Sequence, residues 1–154
     1  MPPLPCMCAS FRRATRSLTQ LYDQALRPTG LRATQFTVLQ ALSLTGEVTQ
    51  GELGEVLAMD STTLTRTLAI MVRRGWLVRR AGKDRRERRV RLAPAGHHQL
   101  KRGLVQWEKV QRRLRKQLGD TRWHSLFKIT NQVAALTTQP ASTKSVAHDQ
   151  GGLS

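Results

Sequence analysis

Asp60-Ser61-Thr62-Thr63-Leu64-Thr65-Arg66-Thr67-Leu68-Ala69-Ile70-Met71-Val72-Arg73-Arg74-Gly75 is the stretch whose reading decides the fold. Asp60 or Ser61 offers a side-chain oxygen that can accept from an orphan amide of a first helical turn. Leu64, Leu68, Met71 and Val72 then recur as one helical stripe, and Gly75 stops it. The face left over at the helix start is small and polar: Thr62, Thr63, Thr65 and Arg66. Just upstream, Thr49-Gln50-Gly51-Glu52 fits a capping box, with the threonine hydroxyl taking the N3 amide and the glutamate reaching back to the cap amide. A short helix with Leu53, Val56 and Leu57 inside is expected there. Downstream the period changes from helical to alternating, with Trp76, Val78, Val90 and Leu92 as strand residues around Ala81-Gly82-Lys83-Asp84-Arg85-Arg86. Two short helices joined by a tight turn, then a basic β-hairpin, make a winged helix-turn-helix.

Working outward, Phe11, Ala14, Leu18, Leu21, Tyr22, Ala25 and Leu26 recur at helical spacing from Ser10 until Pro28 and Gly30. A second helix starts near Thr34, points Phe36, Leu39 and Leu42 inward, and ends at Gly46. Pro94 suits a first helical turn, and a long helix runs to about Leu118 through Leu100, Leu104, Trp107 and Leu114. After Gly119, Asp120 or Thr121 can cap a last helix with Trp123, Leu126, Phe127, Ile129, Val133 and Leu136. The expected fold is mainly α, an α+β winged helix-turn-helix of about six helices with a hairpin wing. The expected organisation is a flexible arm (1–9), one domain (10–138) and a disordered tail (139–154). Within the domain, the winged helix-turn-helix covers about 34–93 and dimerisation helices cover about 10–29 and 94–138. The last two helices carry more apolar face than one small winged lobe can cover, which points to self-association.

Charge says what the lobe meets. Lys and Arg total 26 against 10 Asp and Glu in 154 residues, a formal +16, and such a bias points to a polyanion. The densest run is Arg79, Arg80, Lys83, Arg85, Arg86, Arg88, Arg89 and Arg91, diluted only by Asp84 and Glu87, and it falls on the hairpin. A helix of about 10–12 Å diameter fits the major groove of B-DNA. Threonine hydroxyls and methyls can meet bases or phosphates there, and Arg66 can make a bidentate contact to guanine. Arginine on the hairpin suits the strong negative potential of a narrow minor groove. The candidate DNA-contacting residues are Gln50, Ser61, Thr62, Thr63, Thr65, Arg66, Arg73, Lys83, Asp84, Arg85, Arg86 and Arg88.

Other classes are poorly supplied. The longest aliphatic run, Leu68 to Val72, falls far short of the roughly 20 residues a bilayer needs. The opening Met1-Pro2-Pro3-Leu4-Pro5-Cys6-Met7-Cys8 does not read as a secretory signal. Two cysteines one residue apart build no disulfide framework, which fits a reducing cytoplasm. No nucleophile and base pair, phosphate loop or metal set is evident, so neither enzyme chemistry nor a cofactor is expected. His97, His98 and His124 read as surface or interface residues. The rival reading is a nonspecific or architectural nucleic-acid-binding protein, for which +16 alone would suffice; excess random DNA would displace it.

Met59-Asp60-Ser61-Thr62-Thr63-Leu64-Thr65-Arg66, Arg73-Arg74-Gly75-Trp76-Leu77-Val78, Asp84-Arg85-Arg86 and Leu92-Ala93-Pro94-Ala95-Gly96 together resemble the MarR family of bacterial transcriptional regulators. The resemblance covers roughly residues 10–138, and its most specific part is the wing pair Asp84 and Arg86. Ala93 departs from the threonine common at that place, which removes the usual side-chain cap of the long helix. The resemblance implies a homodimer, built by the first and last two helices, holding two winged lobes over a pseudopalindrome with half-sites about 10 bp apart. It implies that Asp84 orients Arg86 and that Arg86 enters the minor groove. It also implies a switch: a small aromatic or phenolic effector in a cavity lined by Tyr22, Phe36 and Trp107, or oxidation at Cys6 and Cys8.

Overall fold

Thr49 and Asp60 start two helices through the hydrogen bonds their side chains offer. The Thr49 hydroxyl accepts from the Glu52 amide at 3.2 Å while the Glu52 carboxylate takes the Thr49 amide at 2.7 Å. Asp60 Oδ1 takes the Thr63 amide at 2.8 Å. In this computed structural model, which describes residues 5–82 and 87–138, the order is α1 (Met7–Leu26), a 3-10 turn (Arg27–Thr29), α2 (Ala33–Thr45), β1 (Val48–Thr49), α3 (Gln50–Leu57), α4 (Ser61–Arg73), β2 (Leu77–Ala81), β3 (Arg88–Leu92), α5 (Pro94–Leu118) and α6 (Asp120–Thr138). The mainly helical winged-helix class is the one the sequence indicates. Two units follow one another along the chain, Met1–Arg112 and Arg113–Ser154.

In the first unit the sheet is antiparallel in the order β1-β3-β2, with Val48 opposite Val90 and Leu77 opposite Leu92. Leu39 and Leu42 of α2, Leu53 of α3, Leu64, Leu68 and Met71 of α4, and Leu77 and Val90 of the sheet share one buried core. Helix α2 is buried on nearly all sides, with Gln35, Val38 and Ala41 inside beside the expected Phe36, Leu39 and Leu42. Its start is held from the preceding helix: Asp23 Oδ1 accepts from the Ala33 amide at 2.6 Å.

Four local expectations need correction. Helix α1 begins at Met7 and not at Ser10, because Cys6 already serves as its N-terminal boundary with its carbonyl accepting from the Ser10 amide. Val56 lies 61% exposed, since an eight-residue helix presents only a narrow stripe to the core, and Leu53 fills it. Trp76 precedes β2, and the inward strand residue is Leu77, whose partner across the ladder is Leu92. Strand β1 was not expected at all; two residues carry no period, and only pairing with β3 makes them a strand.

The long helix α5 compensates for its missing side-chain cap by tertiary contact. The Ala93 amide donates to the Trp76 carbonyl at 2.9 Å, and Ala93's own carbonyl accepts from His97. A Cβ at Gly96 would fall on that same Trp76 oxygen, so only glycine allows the approach. One turn further, the buried Gln99 side chain donates to the Thr29 carbonyl, tying α5 to the turn after α1. In the second unit, Arg115 pairs with Asp120 across Gly119, and Trp123 meets Phe127 edge to face at 5.0 Å.

Candidate nucleic-acid interface

Helices α3 and α4 are joined by Ala58-Met59-Asp60, and Ala58 takes the left-handed conformation (φ 49°) that lets the chain turn so tightly. This places the start of α3 beside the start of α4. Gln50, the first residue of α3, donates from Nε2 to Thr65 Oγ1 at 2.6 Å. Ser61, Thr62, Thr65 and Arg66, with Ala69, line a shallow concavity of about 390 Å³ on α4, and all five are exposed. Thr63 is exposed too, but its amide and hydroxyl serve Asp60. Those two bonds, hydroxyl first, hold the Asp60 carboxyl below its ordinary pKa. Glu52 is likewise held low, first by the Thr49 amide and then by the Thr49 hydroxyl. Arg73 stands exposed in the last turn of α4, at the opposite end from the threonines.

A larger groove of about 650 Å³ runs between the start of α3, the turn, and the base of the hairpin. Gln50, Gly54, Ser61, Glu87 and Arg88 are among the residues that line it. Arg88 is exposed at the first position of β3. Lys83, Asp84, Arg85 and Arg86 lie outside the described residues.

The hairpin's positive charge is not all free. Arg89 reaches Glu87 at 2.7 Å and Glu47 at 3.2 Å, and Arg91 lies 3.7 Å from the other Glu47 oxygen. The two carboxylates, Glu87 first, raise the Arg89 pKa. Arg79, opposite Val90, shares that residue's face of the sheet, and its Nε and Nη2 are buried with no partner among the described residues. Among the described residues the unpaired excess therefore lies on Arg80 and Arg88, and Glu47, 42 residues from Arg89 in sequence, was invisible as its counter-charge.

Arg74 was also missed. Its guanidinium donates to the Gly30 carbonyl at 2.9 Å and lies 4.9 Å over the Trp76 ring, which fastens the end of α4 to the turn between α1 and α2. Of the residues expected around an effector, Phe36 and Trp107 pack on each other with ring centres 6.2 Å apart. Tyr22 sits half-buried against the same core, and that burial raises its phenol pKa. Cys6 and Cys8 are free and exposed. Among the described residues no group of three His, Cys, Asp or Glu could hold a metal ion, and no helix is long and apolar enough to cross a membrane.

Residues 29–87 match the model of the MarR family. The chain is 34% identical over 82 residues to the HTH-type transcriptional regulator YwoH of Bacillus subtilis, covering 53% of this chain and 60% of that protein. It is 37% identical over 78 residues to the multiple antibiotic resistance protein MarR of Salmonella typhimurium, covering 50% and 54%. The matches thus span little more than half the length of these curated relatives. Among solved structures, the M. tuberculosis transcriptional regulator MosR in complex with DNA superposes with a TM-score of 0.76 at 37% identity, covering 87% of this chain and 99% of that one. An E. coli MarR variant complexed with operator DNA gives 0.73 at 26% identity, covering 80% and 89%. By sequence and by fold, this chain belongs to the MarR family of winged-helix transcriptional regulators.

Proposed function

We propose that the protein is a sequence-specific DNA-binding repressor that acts in the cytoplasm as a homodimer on a pseudopalindromic operator. The observation that carries this reading is the open face of Ser61, Thr62, Thr65 and Arg66 at the start of α4, beside a basic antiparallel wing. In the proposal α4 enters the major groove, Arg66 reads guanine, and Ser61, Thr62, Thr63 and Arg73 join Lys83, Arg85 and Arg88 in base or phosphate contacts. Arg86, oriented by Asp84, enters the minor groove. Self-association is supported by Leu126, Phe127, Ile129, Val133 and Leu136, which α6 leaves 37–79% exposed.

Release is proposed to follow either oxidation of Cys6 and Cys8 or a small aromatic or phenolic compound near Tyr22, Phe36 and Trp107. Peroxide that frees DNA from the wild type but not from a Cys6→Ser, Cys8→Ser variant supports the thiols; equal release ends that part of the proposal.

The central test is competition. Binding to the DNA flanking its own gene should survive excess random duplex, and an architectural protein's binding should not. With 6 to 10 phosphate contacts, affinity should fall ~10³- to 10⁵-fold between about 50 and 200 mM salt. Arg66→Ala should relax base preference at one half-site position by about 1–3 kcal/mol, and Lys83→Ala should weaken all sequences alike. Full operator discrimination in Arg66→Ala would show that α4 does not read bases as assigned.

A further inference from the structure

The threonines of this chain do not use their hydroxyls alike. Thr37, Thr45 and Thr130 each donate back to the carbonyl four residues earlier, at 3.0, 3.0 and 2.9 Å. That bond spends the one proton a hydroxyl has. Thr65 sits on an exposed helix face too, yet its oxygen accepts from Gln50 Nε2 at 2.6 Å. Among the described residues its own proton goes to no partner. An oxygen fixed from one side by an amide donor must offer its hydrogen elsewhere, and Thr65 lines the concavity shared with Thr62 and Arg66.

We infer that Gln50 is a specificity-determining residue that acts through Thr65, fixing the Thr65 hydroxyl as a hydrogen-bond donor toward the DNA. This rests on the reading of α4 as the helix that enters the major groove. Gln50 thereby becomes a positioning residue more than a direct contact, because its amide is engaged inside the protein. A committed donor favours a base edge that accepts, and disfavours one that presents an amino group. Between the pyrimidines the choice is clear: thymine offers the O4 acceptor and a methyl that the threonine methyl can meet, and cytosine offers the N4 donor. The complementary device would be a glutamate at position 50. A carboxylate can only accept, so it would take the Thr65 proton and turn the hydroxyl's lone pairs outward.

The experiment is selection from a randomised duplex DNA library by the full-length wild type and by Gln50→Ala, Gln50→Glu and Thr65→Val, read as base ratios at each enriched position. The wild type should prefer thymine over cytosine at one position per half-site. Gln50→Ala should shrink that ratio about 3- to 10-fold, the worth of one hydrogen bond. Gln50→Glu should shift it toward the amino-bearing base, whatever its overall affinity. Thr65→Val should erase the preference at that position alone, and Gln50→Ala should add nothing in the Thr65→Val background. An unchanged ratio in both Gln50 variants overturns the inference and leaves the DNA-binding reading standing. So does a Thr65→Val protein that loses affinity equally for all sequences, which would place the hydroxyl on a phosphate. A wild type that enriches no sequence overturns both readings.

Discussion

Helices α2 and α6 are both rich in apolar residues, yet the chain treats them oppositely. Leu39 and Val38 of α2 have no solvent exposure and Leu42 has 2%, whereas on α6 Leu126, Phe127 and Ile129 keep 43–50% and Leu136 keeps 79%. An apolar helix is stable in water only if something covers it. For α2 the cover comes from α3, α4 and the sheet of the same chain; for α6 it is proposed to come from a second copy. The difference separates residues that make the monomer from residues that would make the functional particle.

The largest expected effect lies on the buried side. Leu39→Ala should lower unfolding stability by about 2–5 kcal/mol, and the loss in chemical denaturation should be the same at every protein concentration. A concentration-dependent loss would mean that α2 is also an assembly surface. Next, Phe127→Ala should weaken self-association about 10- to 100-fold, as loss of a buried aromatic anchor does, measured by sedimentation. Unaltered association would remove α6 from the proposed interface and erase the contrast.

The two helix starts sharpen the comparison at smaller scale. Asp23 caps α2 from another helix, so Asp23→Ala should cost about 1 kcal/mol in denaturation, with Asp23→Asn recovering part of it. Asp120, at the start of α6, is fully exposed and paired with Arg115, whose hydrogen bond and charge lower the Asp120 pKa. A carboxylate whose folded pKa is depressed contributes stability above its unfolded pKa, near 3.9, and loses that contribution as pH falls through the lower folded value. Helix signal from α6 should therefore weaken below about pH 4, and Asp120→Asn should flatten that acid limb. This is the smallest of the effects. An acid limb unchanged in Asp120→Asn would show that Arg115 gives α6 nothing.

Much of the fold is legible residue by residue because its signals are local. Thr49 with Glu52, Asp60, Gly75, Pro94 and Gly119 mark helix ends through groups within four residues of one another, and these marks fall where the structure has them. The interface was legible in its parts: Thr62, Thr65 and Arg66 stand together on α4, as their spacing requires. What the spacing could not give is their use. Gln50 bonding to Thr65 joins residues 15 apart, and Glu47 meeting Arg89 joins residues 42 apart. No periodicity or cap rule reaches that far.

By itself the sequence determined helix order, the polar face of α4 and the basic hairpin, since propensity, capping and charge act over a turn or two. Among the described residues, tertiary structure decided which arginines are paired, that β1 exists, that Val56 faces water, that Asp23 caps its neighbour, and that Gln50 reaches Thr65. Those depend on what the fold brings within hydrogen-bond distance, and hydrogen bonds and ion pairs act through space without regard to separation along the chain.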